Sequence, residues 1–529
     1  MAELPPSTAP ARAVRLWLGP LLNLLASASA YAGLAVRDQF NGILADGYVY
    51  LMQADSIAGL PHGMSALGRF VFGYYPFPPL YPLLLALTGA GANAVHQTFI
   101  VNAAVLALVV GLVTRWYAVL GLPPLVAWAL GALFASLPVA LITALDVQSE
   151  PLYLVCSMTA VLCAAAPTPP RLHWAALASG LALITRTAGV ALVVAVIAYC
   201  WHSAGARRLR LVALALAPAA AWWLLRAGAD LEASYTDIAL RTVAVTPAAL
   251  AQLLTTNSAA LIEFGVRSFA LDGQAYARSG VLVAALLAGV GWLCRLRQRD
   301  CAAWYVLGYG ALILLWPYPH HARRFLFVVL PLLLGFAGWA LQGALRAYAP
   351  ERMVTVVLIA AVLSGGLLAW PSTAGMVVDI SLASTAEQRL VAQSPARYFE
   401  RSLARATTTW RNSAPVFELL PSLANEVPEG SCICSIIPEQ VSFVSGRAGL
   451  NLSDTRAEPA ALERQLQRCP YVFMVAMTTV PPNGLPPMYP YRQLEHELEV
   501  LRVARANAQD DSSAVMAMLA RVPPRQGSR

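Results

Sequence analysis

Long apolar runs without charged residues limit the fold of this chain more than any other feature. The first covers residues 16–36, and similar runs recur up to Trp370. A helix of about 20 apolar residues spans the hydrocarbon core of a bilayer. The chain is 58% hydrophobic and 12% charged, against roughly 25% charged in an average soluble domain. These features predict an α-helical polytopic membrane protein.

The apolar runs divide into about eleven predicted transmembrane helices. Their predicted ranges are 15–36, 95–117, 122–143, 148–166, 171–186, 187–203, 209–226, 280–295, 301–318, 324–344 and 353–371. The stretch 171–203 is short for two full crossings, so it fits either two short helices or one long helix.

Arginine placement favours two helices in that stretch. With a cytoplasmic N-terminus, two helices there keep the arginine clusters on the cytoplasmic side, as the positive-inside rule requires. Those arginines are Arg12, Arg15, Arg115, Arg171, Arg207, Arg208, Arg210, Arg295, Arg297, Arg299, Arg346 and Arg352. The formal net charge of +8 is therefore read as a topology signal, and a nucleic-acid partner is not expected. The expected location is the inner (plasma) membrane.

Charged and polar residues return at the density of a soluble domain after Pro371. We therefore expect a membrane domain at 1–371, with outer loops at 37–94 and 227–279. Residues 372–529 are expected to form a small soluble α/β domain on the extracytoplasmic side. The predicted elements of this tail are a helix at 415–427 and strands at 431–437, 471–477, 496–506 and 513–522.

The tail also holds three cysteines. In an oxidising outer compartment, Cys469 can pair with either Cys432 or Cys434, and the sequence leaves open whether a disulfide forms. The stretch 439–447 (EQVSFVSGR) has a turn-like Ser-Gly and a polar rim, and we expect it to face the mouth of the site.

Acidic residues collect on the predicted outer side. Asp46 and Asp55 fall in the first outer loop, Asp146 follows the third span, and Glu150 begins the fourth. A carboxylate at the membrane boundary is costly unless it faces water, a partner or a ligand. These residues are therefore candidates for a functional site on the outer face.

Five short motifs, in order along residues 40–335, resemble a known enzyme family. They are Asp46-Gly-Tyr-Val-Tyr50, Tyr75-Pro-Phe-Pro-Pro79, Ser149-Glu150-Pro-Leu-Tyr153, Gly180-Leu-Ala-Leu-Ile-Thr-Arg186 and Arg323-Arg324-Phe-Leu with Leu330-Pro331. This set is similar to the GT-C fold glycosyltransferases that use polyprenyl-phosphate sugars. The group includes the protein O-mannosyltransferases and the lipid A aminoarabinose transferases.

The resemblance implies a sugar transfer from a polyprenyl-phosphate donor to a protein, lipid or glycan acceptor. Asp46 would be the catalytic base, and Asp146 or Glu150 the second acidic group. The family commonly has Asp-Glu where this chain has Asp46-Gly47. A divalent metal is therefore not expected to be essential, and no residue is assigned as a metal ligand.

Arginine is suited to hold the departing phosphate because its planar fork matches phosphate oxygens. Tyrosine can stack on a sugar or form a hydrogen bond to it. The predicted substrate-binding residues are Arg69, Tyr74, Tyr75, Arg186, His320, His321, Arg323 and Arg324. The expected reaction is a direct displacement that inverts the anomeric centre.

Each assignment has a structural alternative. Asp46 can simply cap a helix over 47–60, and Asp55 is expected on a solvated face. Arg323 and Arg324 can be interfacial anchors that reach the lipid headgroups. Arg186 can be a structural partner of Asp146 or Glu150.

Two other classes of protein are compatible with many membrane spans and arginines on the outer side. One is a transporter or flippase of lipid-linked sugars, which usually shows internal repeats and broken midplane helices. The other is a non-catalytic envelope assembly protein. The sequence shows no repeat, and its charges lie at the outer boundary of the membrane.

Overall fold

The structure is a computed structural model. It describes residues 9–35, 45–59, 77–165, 168–203, 205–226, 246–271, 275–316, 322–382, 415–416, 418–452, 459–476, 488, 491, 498–506, 509–510 and 512–523.

The membrane domain is built of helices that follow the predicted spans. They are α1 (Ala9–Leu34), α4 (Val95–Val119), α5 (Pro124–Ser136), α6 (Pro138–Ala144), α7 (Glu150–Ala164), α8 (Pro169–Leu183), α9 (Val190–Ser203), α10 (Arg208–Arg226), α12 (Ala275–Arg297), α13 (Cys301–Leu314), α14 (Ala322–Arg346) and α15 (Glu351–Leu382). Three more helices lie in the stretches predicted to be outer loops: α2 (Ala45–Ile57), α3 (Leu80–Leu87) and α11 (Pro247–Phe269).

Several of these helices can cross a bilayer by length and composition. Within the described residues, α4 and parts of α12, α14 and α15 pass this test as single helices. The pair α5 and α6 passes it together as one bent span, and α7 and α13 are shorter apolar helices. The chain is therefore a mostly helical, multi-pass membrane protein with a small C-terminal sheet domain.

A bend of 61° separates α5 from α6. Pro138 begins α6, and the preceding Leu137 is extended, with φ −64° and ψ 141°. Proline lacks an amide hydrogen and disfavours helical geometry in the residue before it, so the helix breaks at this point. The bend directs α6 towards the loop that carries Asp146 and Glu150.

The stretch 171–203 forms two helices. α8 and α9 are joined by a short 3₁₀ turn at Thr187–Gly189 and pack against each other. A Cβ atom at Gly189 would lie 2.6 Å from the backbone of Leu183, so the close turn requires glycine. This break, and not one long helix, agrees with the arginine pattern.

The stretches predicted to be outer loops contain more helix than the sequence indicates. The helix α3 begins directly after Pro78–Pro79, as proline favours the start of a helix. The helix α11 was not predicted. It begins at Pro247, and the Thr246 hydroxyl accepts a hydrogen bond from the Ala249 amide as its N-cap.

The tail is an α/β domain with a five-stranded sheet of order β2-β1-β3-β5-β4. Its strands are β1 (Cys432–Ser435), β2 (Ala448–Asn451), β3 (Tyr471–Val475), β4 (Glu499–Arg505) and β5 (Val515–Arg521), and its helices include α16 (Leu423–Glu426), α17 (Pro438–Ser445) and α18 (Pro459–Arg468). β1 pairs in parallel with β2 and β3, whereas β5 pairs antiparallel with β3 and β4.

A disulfide joins the start of β1 to the end of α18. Cys432 is bonded to Cys469, with their Cα atoms 5.2 Å apart, and Cys434 is free and buried. One of the two possible pairings is thereby selected. The strands predicted at 431–437, 471–477, 496–506 and 513–522 are present, while β2, α17 and α18 were missed.

The tail packs directly on the membrane domain through α17 and α2. The ring of Phe443 meets the ring of Tyr48 edge-on, with centroids 5.0 Å apart. One buried apolar cluster contains residues of both parts, among them Leu85 and Met474. The expected turn at 439–447 is in fact this helix, which Gly446 ends with a φ of 66°.

Candidate active site

Four charged side chains from distant parts of the chain meet at one point. Glu150 Oε1 accepts from Arg324 Nε and from an Arg186 terminal nitrogen, each at 2.6 Å. Arg324 also donates to Asp46 Oδ2 at 2.6 Å. The two arginines and two carboxylates form a chain of ion pairs, which we call the ion-pair cluster.

Three helix N-termini supply this cluster. Asp46 and Glu150 lie in the first turns of α2 and α7, and Arg324 lies in the first turn of α14. The positive end of a helix dipole stabilises a carboxylate and disfavours a cation. Arg324 therefore depends on its two acidic partners. Arg186 comes from the break between α8 and α9.

The cluster is buried on one side and open on the other. The side chain of Glu150 is 1% exposed and that of Arg324 is 6%, whereas that of Asp46 is 32% exposed. Charges removed from water need compensation from partners. The arrangement therefore has a buried anchor at Glu150 and a water-facing end at Asp46, where a substrate has access.

Neutral groups hold the arginine side of the cluster. Arg186 donates to Ser149 Oγ at 3.2 Å, and the Tyr50 hydroxyl lies 2.9 Å from the same oxygen. The guanidinium of Arg186 also lies over the Phe325 ring, 5.6 Å from its centroid. Tyr50 and Ser149 fall inside the motifs quoted above, but their spacing gave no sign that they meet.

Glu150 has one more oxygen than these contacts use. Its Oε2 atom is buried, and no partner for it lies among the described residues. A small cavity beside it is lined by Thr143, Gln148 and Phe327 as well as Arg324. A buried acceptor without a partner is costly, so this oxygen is suited to accept a hydrogen bond from a water or a substrate hydroxyl.

Asp146 and Asp55 are each held by hydrogen bonds outside the ion-pair cluster. Asp146 accepts from the Val147 amide at 2.9 Å and from the Gln148 side chain. Asp55 is 1% exposed and accepts from the Ala92 amide and the Asn93 side chain. The expected solvated face at Asp55 was therefore wrong, because these donors bury it.

The structural alternatives are decided for two arginines. Arg324 is 7% exposed and ion-paired, so the reading of this residue as an anchor among the headgroups was wrong. Arg186 is paired with Glu150, as one of the alternatives proposed. The predicted residues Arg69, Tyr74, Tyr75, His320 and His321 lie outside the described residues, as does the Arg323 side chain.

The described part of the chain contains no group of three or more His, Cys, Asp and Glu side chains that could hold a metal ion. The two carboxylates of the ion-pair cluster are bonded to arginines.

An apolar groove lies among four helices of the membrane domain. It has a volume of ≈ 540 Å³ and lies among α11, α12, α13 and α14. On α14 its wall begins at Leu326, two residues after Arg324, and continues through Leu330, Leu334 and Ala337. At 1.5 Å per residue this stripe runs roughly 16 Å along the helix. The helix α14 thus carries Arg324 of the ion-pair cluster in its first turn and part of the wall of an apolar groove further along.

Comparison with known proteins yields similarity of fold only. No family model matches the chain, and no curated protein matches it. Two solved structures of ArnT from Cupriavidus metallidurans, one apo and one bound to undecaprenyl phosphate, align with 94% of this chain and 97% of theirs. The sequence identity is 12% in both cases, and the TM-scores are 0.49 and 0.48. The proposals below rest on the contacts of this chain alone.

Proposed function

We propose that this chain is a membrane glycosyltransferase. It moves a sugar from a polyprenyl-phosphate donor to an acceptor on the extracytoplasmic face and inverts the anomeric centre. The observation that carries the proposal is the meeting of Arg186, Arg324, Glu150 and Asp46 at one site. The acceptor is a protein, a lipid or a glycan.

The site suits a lipid phosphate because arginine and helix N-termini both favour anions. The guanidinium of Arg324 uses Nε on Glu150 and a terminal nitrogen on Asp46. A phosphate oxygen competes for the same N–H groups as a carboxylate. Arg324 can therefore release Asp46 and bind the donor phosphate instead. Glu150 holds the guanidinium of Arg324 in position during this exchange.

This exchange releases Asp46 to act as the base. The acceptor gives up its proton to the Asp46 carboxylate while its oxygen or nitrogen attacks the anomeric carbon. The bond from that carbon to the phosphate breaks, and its electron pair leaves with the phosphate held by Arg324 and Arg186. General-base help of this kind is worth roughly 10²–10⁴-fold in rate.

The apolar groove supports a lipid-borne donor. Its stripe on α14 begins at Leu326 and leads away from Arg324 into the helix bundle. In this proposal the phosphate binds at the arginines, and the polyprenyl chain follows the apolar surface of the membrane helices, of which this stripe is a part. Burial of each CH₂ group contributes about 0.8 kcal/mol.

Orientation follows from the arginine pattern. The N-terminus and the arginine-rich loops are placed in the cytoplasm, and the tail outside the inner membrane. The membrane domain 1–371 then carries the chemistry, and the tail 372–529 covers its outer face.

The test uses purified protein in detergent or nanodiscs with a polyprenyl-phosphate sugar. Mass spectrometry should detect released polyprenyl phosphate, and Asp46→Asn should reduce the release by about 10²–10⁴-fold. The matched control is Glu351→Gln, which removes an exposed carboxylate at the other end of the bundle and should leave turnover unchanged.

Two results would contradict the proposal. Full turnover by a folded Asp46→Asn variant refutes the role of the base. Movement of the intact donor across a vesicle membrane, with no release of polyprenyl phosphate, identifies a transporter.

A further inference from the structure

The helix α17 of the tail brings a carboxyl group to the start of α2. Glu439 and Phe443 are four residues apart, so they lie on one face of this helix. Phe443 contacts Tyr48, whose ring centroid is 5.0 Å away. Asp46 lies two residues before Tyr48, in the first turn of α2. Asp46 on α2 and Glu439 on α17 therefore each lie within about one helical turn of the contact between the two helices.

The electrostatics of Glu439 agree with this placement. Burial, together with the negative charge of Asp46, raises the pKa of Glu439 to about 7. Two nearby carboxylates repel each other when both are ionised, so one of them keeps its proton to a higher pH.

Among the described residues, the elements that pack most closely on α17 bring no cation into an ion pair with Glu439. They are α2, β1, β2 and the turn at 420–422, and their ionisable groups near α17 are Asp46, Tyr48 and the free thiol of Cys434. Arg447 follows α17, but its guanidinium donates to the carbonyls of Val427 and Ala424. Among the described residues, no ion pair to Glu439 occurs.

We infer that Glu439 is the second carboxyl group of the active site and forms a proton-sharing pair with Asp46. This inference rests on the proposed function of Asp46 as the base. The resemblance in sequence left one carboxylate missing at Gly47, next to Asp46. The tail supplies a carboxyl group at that place from nearly four hundred residues further along the chain.

Glu439 acts through Asp46 and is a positioning residue. When Glu439 is ionised, the acceptor's proton arrives at a pair of two negative charges and relieves their repulsion. When Glu439 is protonated, the same step requires the pair to hold two protons. Transfer is therefore favoured by the ionised form of Glu439, and the proton leaves to the outer solvent.

The first experiment measures the carboxyl group without any turnover. Infrared difference spectra of the purified full chain should show a protonated carboxyl band that is lost as the pH rises through about 7. Glu439→Gln should remove this band. Asp46→Asn should move its loss to lower pH, because the like charge beside Glu439 is gone. The exposed Glu429→Gln is the matched control and should change nothing.

The second experiment measures the rate of transfer against pH. The wild-type kcat should rise about tenfold from one pH unit below the Glu439 pKa to one unit above it. Glu439→Gln should abolish this rise and hold the rate near its low-pH value, and Glu439→Asp should restore a rise.

The outcomes separate this inference from the proposed function. An unchanged pH profile in a folded Glu439→Gln variant, or a carboxyl band that Asp46→Asn does not move, overturns the pairing. Absence of donor turnover in the wild type, with the band behaving as expected, overturns the proposed function and leaves the carboxyl pair intact.

Discussion

Glu150 makes a strong prediction about stability, because it compensates two buried cations with one oxygen. The change is Glu150→Gln, which keeps the shape of the side chain and removes its charge. Arg186 and Arg324 then share one remaining carboxylate, that of Asp46, whose side chain is 32% exposed. The cluster changes from two charges of each sign to two positive and one negative.

The expected loss follows from the burial of these groups. Removing one partner of a buried ion pair costs about 3–5 kcal/mol, since the other charge stays buried without compensation. The Glu150 side chain is 1% exposed and accepts two bonds of 2.6 Å, so the full range applies. A second change, Arg186→Gln, should return part of the loss because it restores charge balance.

The free energy of unfolding is measured by denaturant titration in mixed micelles, with tryptophan fluorescence as the signal. The control is Glu263→Gln, which breaks an exposed i, i+4 pair with Arg267 and should cost less than about 1 kcal/mol. A loss below about 1 kcal/mol for Glu150→Gln would refute the reasoning that Glu150 anchors the cluster.

Three further changes test other parts of the structure. Cys432→Ser should lower the stability of the tail by about 2–5 kcal/mol through loss of its disulfide, which thermal unfolding under non-reducing conditions would detect; equal stability would contradict the pairing. Gly189→Ala should lower the free energy of unfolding by about 1–3 kcal/mol through overpacking. The control is Gly343→Ala, which has no atom within 4 Å of its Cβ and should be neutral or stabilising. Equal melting temperatures of the two variants would contradict the close turn at Gly189. The native tail holds a proton on Glu439 between the ordinary glutamate pKa of 4.5 and about 7, so its stability should fall as pH rises across this window. Glu439→Gln should remove that slope.

The membrane helices could be predicted because apolar periodicity and length are local properties. Predicted spans such as 95–117 and 209–226 coincide with α4 and α10 within a few residues. The helix α11 was missed because its residues are only moderately apolar and the stretch was assigned as a loop by topology. In the tail, α17 was missed because Ser445-Gly446 was read as a turn, while it ends a helix.

The candidate site was predicted in part. The predicted topology assigns Asp46, Glu150, Arg186 and Arg324 to the same side of the membrane. The structure brings these four side chains into contact. Partners within the cluster could not be assigned, since contacts across the bundle depend on tertiary packing. Asp146 was grouped with them by position, but its side chain is bonded within its own loop.

Glu439 is the clearest case of a site residue that the local sequence does not reveal. Nothing in the residues around it marks a carboxyl group whose pKa is raised, because the cause lies in another domain. The amphipathic face of an eight-residue helix is also too short to indicate what it packs against.

The wide separation of the site's residues along the chain has a consequence for biosynthesis. Asp46 and Arg324 are 278 residues apart, and Glu150 and Arg324 are 174 apart. Contacts this distant in sequence form late, after the intervening helices have been inserted. The face of α2 that receives Phe443 must wait still longer, until the C-terminal domain has been synthesised and folded. A ribosome that stalls within the last hundred residues would therefore leave an inserted protein whose helix α2 is not covered by the tail.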